Sequence, residues 1–160
     1  KMSFGTGHHA TTYGMIEAML SLDFQEKKVL DMGCGTGVLA ILAHQLGSNM
    51  VVAIDIEEWA YNNALENINM NGSSNILVHK GGKEKIDGEF DIILANINRN
   101  ILIQDMYAYS SHLLQDGLIL FSGFYQQDLD LINQEAKRQG LKYISHNSKN
   151  NWVTAKFQKI

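Results

Sequence analysis

The chain has no proline and a single cysteine among its 160 residues. Without proline there is no polyproline spacer and no rigid linker of the usual kind. One cysteine, Cys34, cannot close an internal disulfide, so the fold rests on its core, as suits a reducing cytoplasm, where the protein is expected to work. No apolar run reaches the roughly 20 residues of a membrane-spanning helix, and no membrane partner is expected. Positive charge is also short: 13 Lys and Arg stand against 17 Asp and Glu, a formal balance of −4. That balance gives no general attraction to a polyanion, so strong nucleic-acid binding is not expected, and a basic protein partner suits it better. Low-complexity tracts, internal repeats and long charge blocks are absent, which leaves residues 1–160 as one domain. The 6 histidines are scattered and no ligand spacing recurs around His8 and His9, so no metal site is expected.

What is present is alternation. Short apolar runs at Lys28–Met32, Met50–Asp55, Asn75–His79, Phe90–Ala95 and Gly117–Ser122 read as buried parallel strands. Val38–Leu46, Glu57–Asn71, Asn100–Leu114 and Gln126–Gln139 read as helices, with Gly47, Gly72 and Gly140 in stopping positions. The pattern then changes, because Leu141–Asn147 and Trp152–Gln158 are both strand-like with only "SKNN" between them. The expected fold is therefore α/β and doubly wound, a mostly parallel seven-stranded sheet with an antiparallel C-terminal strand. Ligands of such sheets lie beyond the carboxyl ends of the strands. The loops "GCGTG", "DIEEW" and "NINRN" are expected to rim one crevice there, with the opening "FGTGHHATT" folded over it as a glycine-rich lid.

The glycine loop narrows the ligand. Gly33, Gly35 and Gly37, followed by Val38, Leu39 and Ala40, miss the spacing of a dinucleotide fingerprint, and no Gly-Lys-Ser/Thr follows for a phosphate loop. Asp55 comes 22 residues after Gly33, at a strand end where a carboxylate accepts both hydroxyls of a ribose. A nucleoside without a pyrophosphate meets these conditions. Cys34, between two glycines, reads as a packing residue rather than a nucleophile. Glu57 and Glu58 read as first-turn helix charges and Arg99 as a surface residue. Trp59 fits the core and the border of a nucleobase pocket equally well.

These residues also carry a resemblance. "VLDMGCGTG" followed by "AIDIEEWA" resembles the class I S-adenosylmethionine-dependent methyltransferases. "FGTGHHATT", "LANINRNIL", "ILFSGF" and "NNW" are similar to segments of the ribosomal protein L11 methyltransferases, so the resemblance runs over essentially the whole chain. Ala10 stands where that family has proline, and "HKGGKEK" stands where many relatives have Gly-Asp.

The resemblance implies a Rossmann-like fold and S-adenosyl-L-methionine as cofactor, held by Thr12, Gly33, Asp55 and Asn96. Gly35 joins them in the loop, and Asp31 is expected near the cofactor's ammonium. The implied reaction is methylation of amines of ribosomal protein L11, at lysine side chains or the chain terminus, with Asn96 positioning the reactants. The family's N-terminal substrate-recognition domain is expected to be absent from these 160 residues. Alternatives are a class I methyltransferase acting on another protein, an RNA or a small molecule, and, from another class, a non-catalytic cofactor-binding domain. A nicotinamide oxidoreductase is disfavoured by the glycine spacing.

Overall fold

Strands whose neighbouring side chains are all apolar, as in "VVAI" at 51–54, must be covered on both faces, and the structure shows how. A computed structural model describes residues 7–160, with side chains from Ala10 onward. In chain order the elements are α1 (Gly7–Met19), β1 (Lys28–Met32), α2 (Val38–Gln45), β2 (Met50–Asp55), α3 (Glu58–Met70), β3 (Ile76–Lys80), β4 (Phe90–Asn96), α4 (Arg99–Ser111), β5 (Leu113–Tyr125), α5 (Leu129–Arg138), β6 (Leu141–Lys149) and β7 (Trp152–Lys159). Short 3₁₀ turns lie at Lys83–Lys85 and Gln126–Asp128. The strands form one seven-stranded sheet in the order β3-β2-β1-β4-β5-β7-β6. Strands β1 to β5 pair in parallel, and β7 runs antiparallel to both β5 and β6. The expected doubly wound sheet is present, with its antiparallel C-terminal strand lying between β5 and β6.

Alternation along the strands divides the core. Val29, Val51, Ala53, Ile92 and Leu94 pack on one side against Met15 and Met19 of α1, Leu39 and Ala43 of α2, and Ala64 and Ile68 of α3. Their chain neighbours Leu30, Val52, Ile54 and Ile93 pack on the other side against Leu102 and Met106 of α4 and Ile132 and Ala136 of α5. Burying each large apolar side chain contributes about 1.5–3 kcal/mol, so the helices are held mainly by these contacts. The chain leaves β1 for α2 on one face and β4 for α4 on the other. The adjacent ends of β1 and β4 therefore open a crevice at the point where the connections diverge. No helix among the described residues is long and apolar enough to cross a membrane.

Two expectations are corrected. The opening stretch is not a loop over its described part: residues from Gly7 onward begin a 13-residue helix, and Lys1–Thr6 lie outside the described residues. The buried stripe of α1 runs through Ala10, Thr11, Gly14, Met15 and Met19, so a threonine and a glycine hide its apolar period. Gly14 is there for close approach, since a Cβ would sit 2.4 Å from Thr154 Oγ1 of β7. The second correction concerns α4 and β5. The helix ends at Ser111, and the strand starts at Leu113 with an irregular register between the Phe90 and Ile92 pairings. Asp116 takes a left-handed conformation there (φ 66°), which lets a polar, turn-like stretch remain part of a strand.

Candidate active site

The glycine loop that follows β1 is fixed by its own backbone. Gly33 and Cys34 both donate to Ile54 O, at 2.8 and 3.0 Å, and Gly37 donates to Cys34 O at 2.9 Å. Gly33 has φ 74°, and a Cβ there would stand 2.8 Å from Ile97 Cγ1. Gly35 has φ 55°, and a Cβ there would meet no atom within 4 Å, because this part of the loop borders a cavity of about 730 Å³. Glycine answers a steric demand at the first position and a conformational one at the second.

Asp55 closes the loop from the end of β2. Its Oδ2 accepts from Gly35 N at 2.8 Å and its Oδ1 from Glu57 N at 2.9 Å, so two backbone donors lock the carboxylate at the cavity wall. A carboxylate offers about four acceptor directions, which leaves capacity for two further donors from a ligand. Beneath it lies Asp31, fully buried, with neither oxygen hydrogen-bonded among the described residues. Burial, and secondarily the charge of Asp55, pushes its carboxyl up to about 7; the Ala40 N–H draws it back without reaching hydrogen-bond geometry. The Cys34 thiol is pushed up by burial and by the charges of Asp31 and Asp55, which suits a packing residue and no nucleophile.

Asn96 ends β4 at the mouth of the crevice. Its Nδ2 donates to Thr11 Oγ1 of α1 at 3.4 Å, and its Oδ1 is buried without a partner among the described residues. The amide is thus held by Thr11 at the wall of the cavity that Asn96 lines. Thr12, Gly33, Gly35, Asp55 and Asn96 all line this one cavity, and Asp31 lies under its floor without lining it. Among the described residues no group of three or more His, Cys, Asp or Glu is placed to hold a metal ion.

Several lining residues escaped the sequence reading. Ile56, Ile97 and Ile101 give the cavity apolar walls, and Trp59 joins them, at the pocket border that was one of its two expected places. Asn98 caps α4 by accepting from Ile101 N at 3.1 Å, and the lining then follows the helix inward through Ile101, Asp105 and Tyr109. The four-residue spacing after the cap was the available signal. A second hollow of about 530 Å³ adjoins at Asn98 and includes Arg99, Tyr125, Asp128 and Trp152. The Tyr125 and Trp152 rings lie 4.1 Å apart by centroid, and Arg99 is paired with Asp128 at 3.0 Å rather than standing free on the surface.

Comparison with known proteins bears on what this arrangement serves. A protein from Phocaeicola vulgatus named ribosomal protein L11 methyltransferase is 46% identical over 159 residues, covering 98% of this chain and 57% of the relative. One of the same name from Chlorobaculum tepidum is 38% identical, covering 97% of this chain and 55% of its own length. The chain thus spans little more than half the length of the curated relatives it matches. The crystal structure of a ribosomal protein L11 methylase from Lactobacillus delbrueckii subsp. bulgaricus superposes with a TM-score of 0.87 at 32% identity, covering 96% of this chain and 80% of that one. The pattern of the family described as ribosomal protein L11 methyltransferase (PrmA) matches residues 1–160. Matched along its whole length, with the glycine loop, Asp55 and Asn96 on one cavity, the chain belongs to the ribosomal protein L11 methyltransferase family.

Proposed function

We propose that the cavity binds S-adenosylmethionine and that the domain methylates an amine of ribosomal protein L11. The observation that carries this reading is the Asp55 carboxylate, pinned by Gly35 and Glu57 beside an open glycine loop. Its remaining acceptor directions suit the two hydroxyl donors of a ribose diol, and the space before Gly35 suits a ligand pressed against backbone. Asp31 lies close enough to Asp55 for their charges to interact, and a ligand ammonium above it would favour its ionised form. Thr12 offers a hydroxyl to the methionine carboxylate.

S-Adenosylmethionine, when bound, supplies a methyl group already activated on a cationic sulfur. What remains for the protein is placement and exclusion of water. The Asn96 amide, held by Thr11 at the cavity wall, positions the incoming amine and so aims its lone pair. The close, mutually tilted rings of Tyr125 and Trp152, in the adjoining hollow, offer an aromatic surface to an aliphatic ammonium arriving from solvent. Desolvation in the crevice then favours the neutral amine that can attack. In this reading residues 1–160 are one catalytic domain working in the cytoplasm. Substrate recognition also draws on the part of the relatives' length that the chain does not span.

Calorimetry with S-adenosylhomocysteine tests the cofactor half. Asp55→Ala is expected to lose about 2–4 kcal/mol of affinity, since charged hydrogen bonds are worth about 1.5–3 kcal/mol each and add imperfectly. Unchanged affinity would reject the site. Transfer of labelled methyl groups to purified ribosomal protein L11 tests the other half, and its absence at saturating cofactor would leave only a binding domain.

A further inference from the structure

Charge is unevenly spread along the chain, and the fold gathers its positive part on one edge of the sheet. Between Ala136 and Ile160 lie six of the 13 Lys and Arg and none of the 17 Asp and Glu, in a chain whose overall balance is −4. Most of that stretch is the hairpin of β6 and β7, with β6 at the open edge. Cross-strand partners share a face, so the pairings Lys142 with Gln158, Ser145 with Lys156, Asn147 with Thr154 and Lys149 with Trp152 set out one row. It lies on the face that carries α1: Gly14 meets Thr154, and Lys149 Nζ stands 4.7 Å from the centre of the Tyr13 ring. Arg138 is taken by Glu135 and Lys159 by Ser110 O. Lys142, Lys149 and Lys156 have no ion pair among the described residues, and Glu17, the one acid of α1, pairs with none of them. Because β7 runs antiparallel to both neighbours, β6 points the same way as β5, and Lys149 lies at the end of the sheet where the cavity opens.

We propose that this row docks a single strand of RNA through its phosphates, with Tyr13 as a stacking platform for a base beside the mouth of the cavity. From Lys142 to Lys149 the strand covers about 23 Å, which suits a site of about four nucleotides. Lys142 and Lys149 are exposed and Lys156 is half-buried, so all three reach solvent. Ser145 and Asn147, exposed between them, offer polar groups to phosphate and sugar oxygens, the 2′-hydroxyl included. The Tyr13 ring is 52% exposed and already holds one cation at its face, which leaves the rest of its surface for a base. An acidic peptide is the other polyanion for such an edge, bound as an added strand on β6. The register of β6 shifts between Tyr143 and Ser145, which breaks the even ladder that an added strand needs. A nucleic-acid backbone needs only the cations and the ring. The negative balance of the remaining chain confines the attraction to this edge, so the binding is local and salt-sensitive rather than strong. None of the three lysines lines the cavity, and the proposal stands apart from which cofactor the cavity takes.

The experiment is fluorescence anisotropy with a labelled single-stranded RNA of mixed sequence, about 12 nucleotides long. Neutralising three phosphates gives a slope near −2 against the logarithm of salt, so wild-type affinity is expected to fall roughly ten- to thirtyfold between about 50 and 200 mM salt. The triple variant Lys142→Ala, Lys149→Ala, Lys156→Ala is expected to bind at least about tenfold more weakly at the lower salt and to flatten that slope. A control triple, Lys27→Ala, Lys80→Ala, Lys85→Ala, removes the same charge from elsewhere and is expected to stay within about threefold of wild type. Tyr13→Ala is expected to lose about fivefold or more at an unchanged slope. Thermal unfolding is followed for each variant, and the single exchanges Lys142→Ala and Lys149→Ala, at exposed positions, repeat the test on a smaller scale should the triple unfold. Equal losses in the two triples would overturn the proposal, since total charge rather than place would then decide. Absence of wild-type binding at the lower salt would overturn it as well. Displacement of the RNA by oligoglutamate of equal charge at equal concentration would assign the edge to an acidic protein, and tighter binding of the same sequence as DNA would remove RNA as the occupant; either result rejects the proposal.

Discussion

The glycine loop and helix α4 line the same cavity and differ in what holds their polar atoms. Along the loop, Gly33 and Cys34 are bonded to Ile54, and Gly35 to a carboxylate that Glu57 also anchors, so the shape persists without a ligand. Along α4, Asp105 Oδ1 has an ion but no directed hydrogen bond, and the Tyr109 hydroxyl has no hydrogen-bond partner among the described residues. A wall whose groups are satisfied in advance costs little to bind against, which favours affinity. A wall with unspent hydrogen-bonding capacity discriminates, because the wrong ligand leaves that capacity buried and unpaired. The loop side is therefore fixed in advance by its own hydrogen bonds, whereas the helix side carries polar atoms that none satisfies among the described residues.

Asp31 is the exception on the loop side, and the largest expected effect lies with it. Its folded value of about 7 stands above the ordinary 3.8, so the folded protein keeps this proton longer than the unfolded chain. Its contribution is fully favourable below about 3.8 and is lost as the pH rises through about 7. The loss is on the order of 4 kcal/mol. Thermal unfolding between pH 4 and 8 is expected to show wild-type stability falling with pH relative to Asp31→Asn; parallel curves would mean that Asp31 is solvated or paired in solution.

Next in size is the pair of loop glycines. Gly33→Ala combines a left-handed residue, which costs about 1–2 kcal/mol, with a methyl driven into Ile97, so a total near 2 kcal/mol is expected. For a domain of this size that lowers the unfolding midpoint by about 4–8 °C. Gly35→Ala meets no atom, so only the conformational part applies and about half that drop is expected. Equal drops would mean that Ile97 yields freely and that the loop wall is softer than its hydrogen bonds suggest.

The smallest effect is expected from Lys83→Ala. With half of its side chain exposed, the pair with Asp105 contributes at most about 1 kcal/mol, and unfolding should barely change. A loss several times larger would show that the turn after β3 depends on α4 for its place, which would blur the contrast between the two walls.

Much of the loop wall was readable in advance because it is local. Gly33 and Gly35 sit between an apolar strand and a helix, and Asp55 ends the next strand, so alternation and strand-end position were enough to bring them together. Helix α1 was not readable as such. Its contact stripe includes Thr11 and Gly14, which face β-strand partners such as Thr154 and carry no apolar signal. Thr11 was passed over beside Thr12 for the same reason: its role depends on Asn96, 85 residues away in the chain. Tyr109 reads in sequence as one more core aromatic and Asp105 as a polar helix position, and only the structure places Asp105 beside Lys83 and both residues on the cavity lining.

The sequence by itself determined the doubly wound sheet, the glycine loop, the strand-end place of Asp55 and the family, because strand alternation, glycine conformational freedom and strand-end placement act over a few residues. Only the tertiary structure decided which buried atoms are left without a hydrogen bond among the described residues: the Asn96 oxygen, both oxygens of Asp31, Asp105 Oδ1 and the Tyr109 hydroxyl. Whether a buried polar atom finds a partner depends on distant segments meeting within about 3 Å, a condition that packing imposes and that no local pattern encodes.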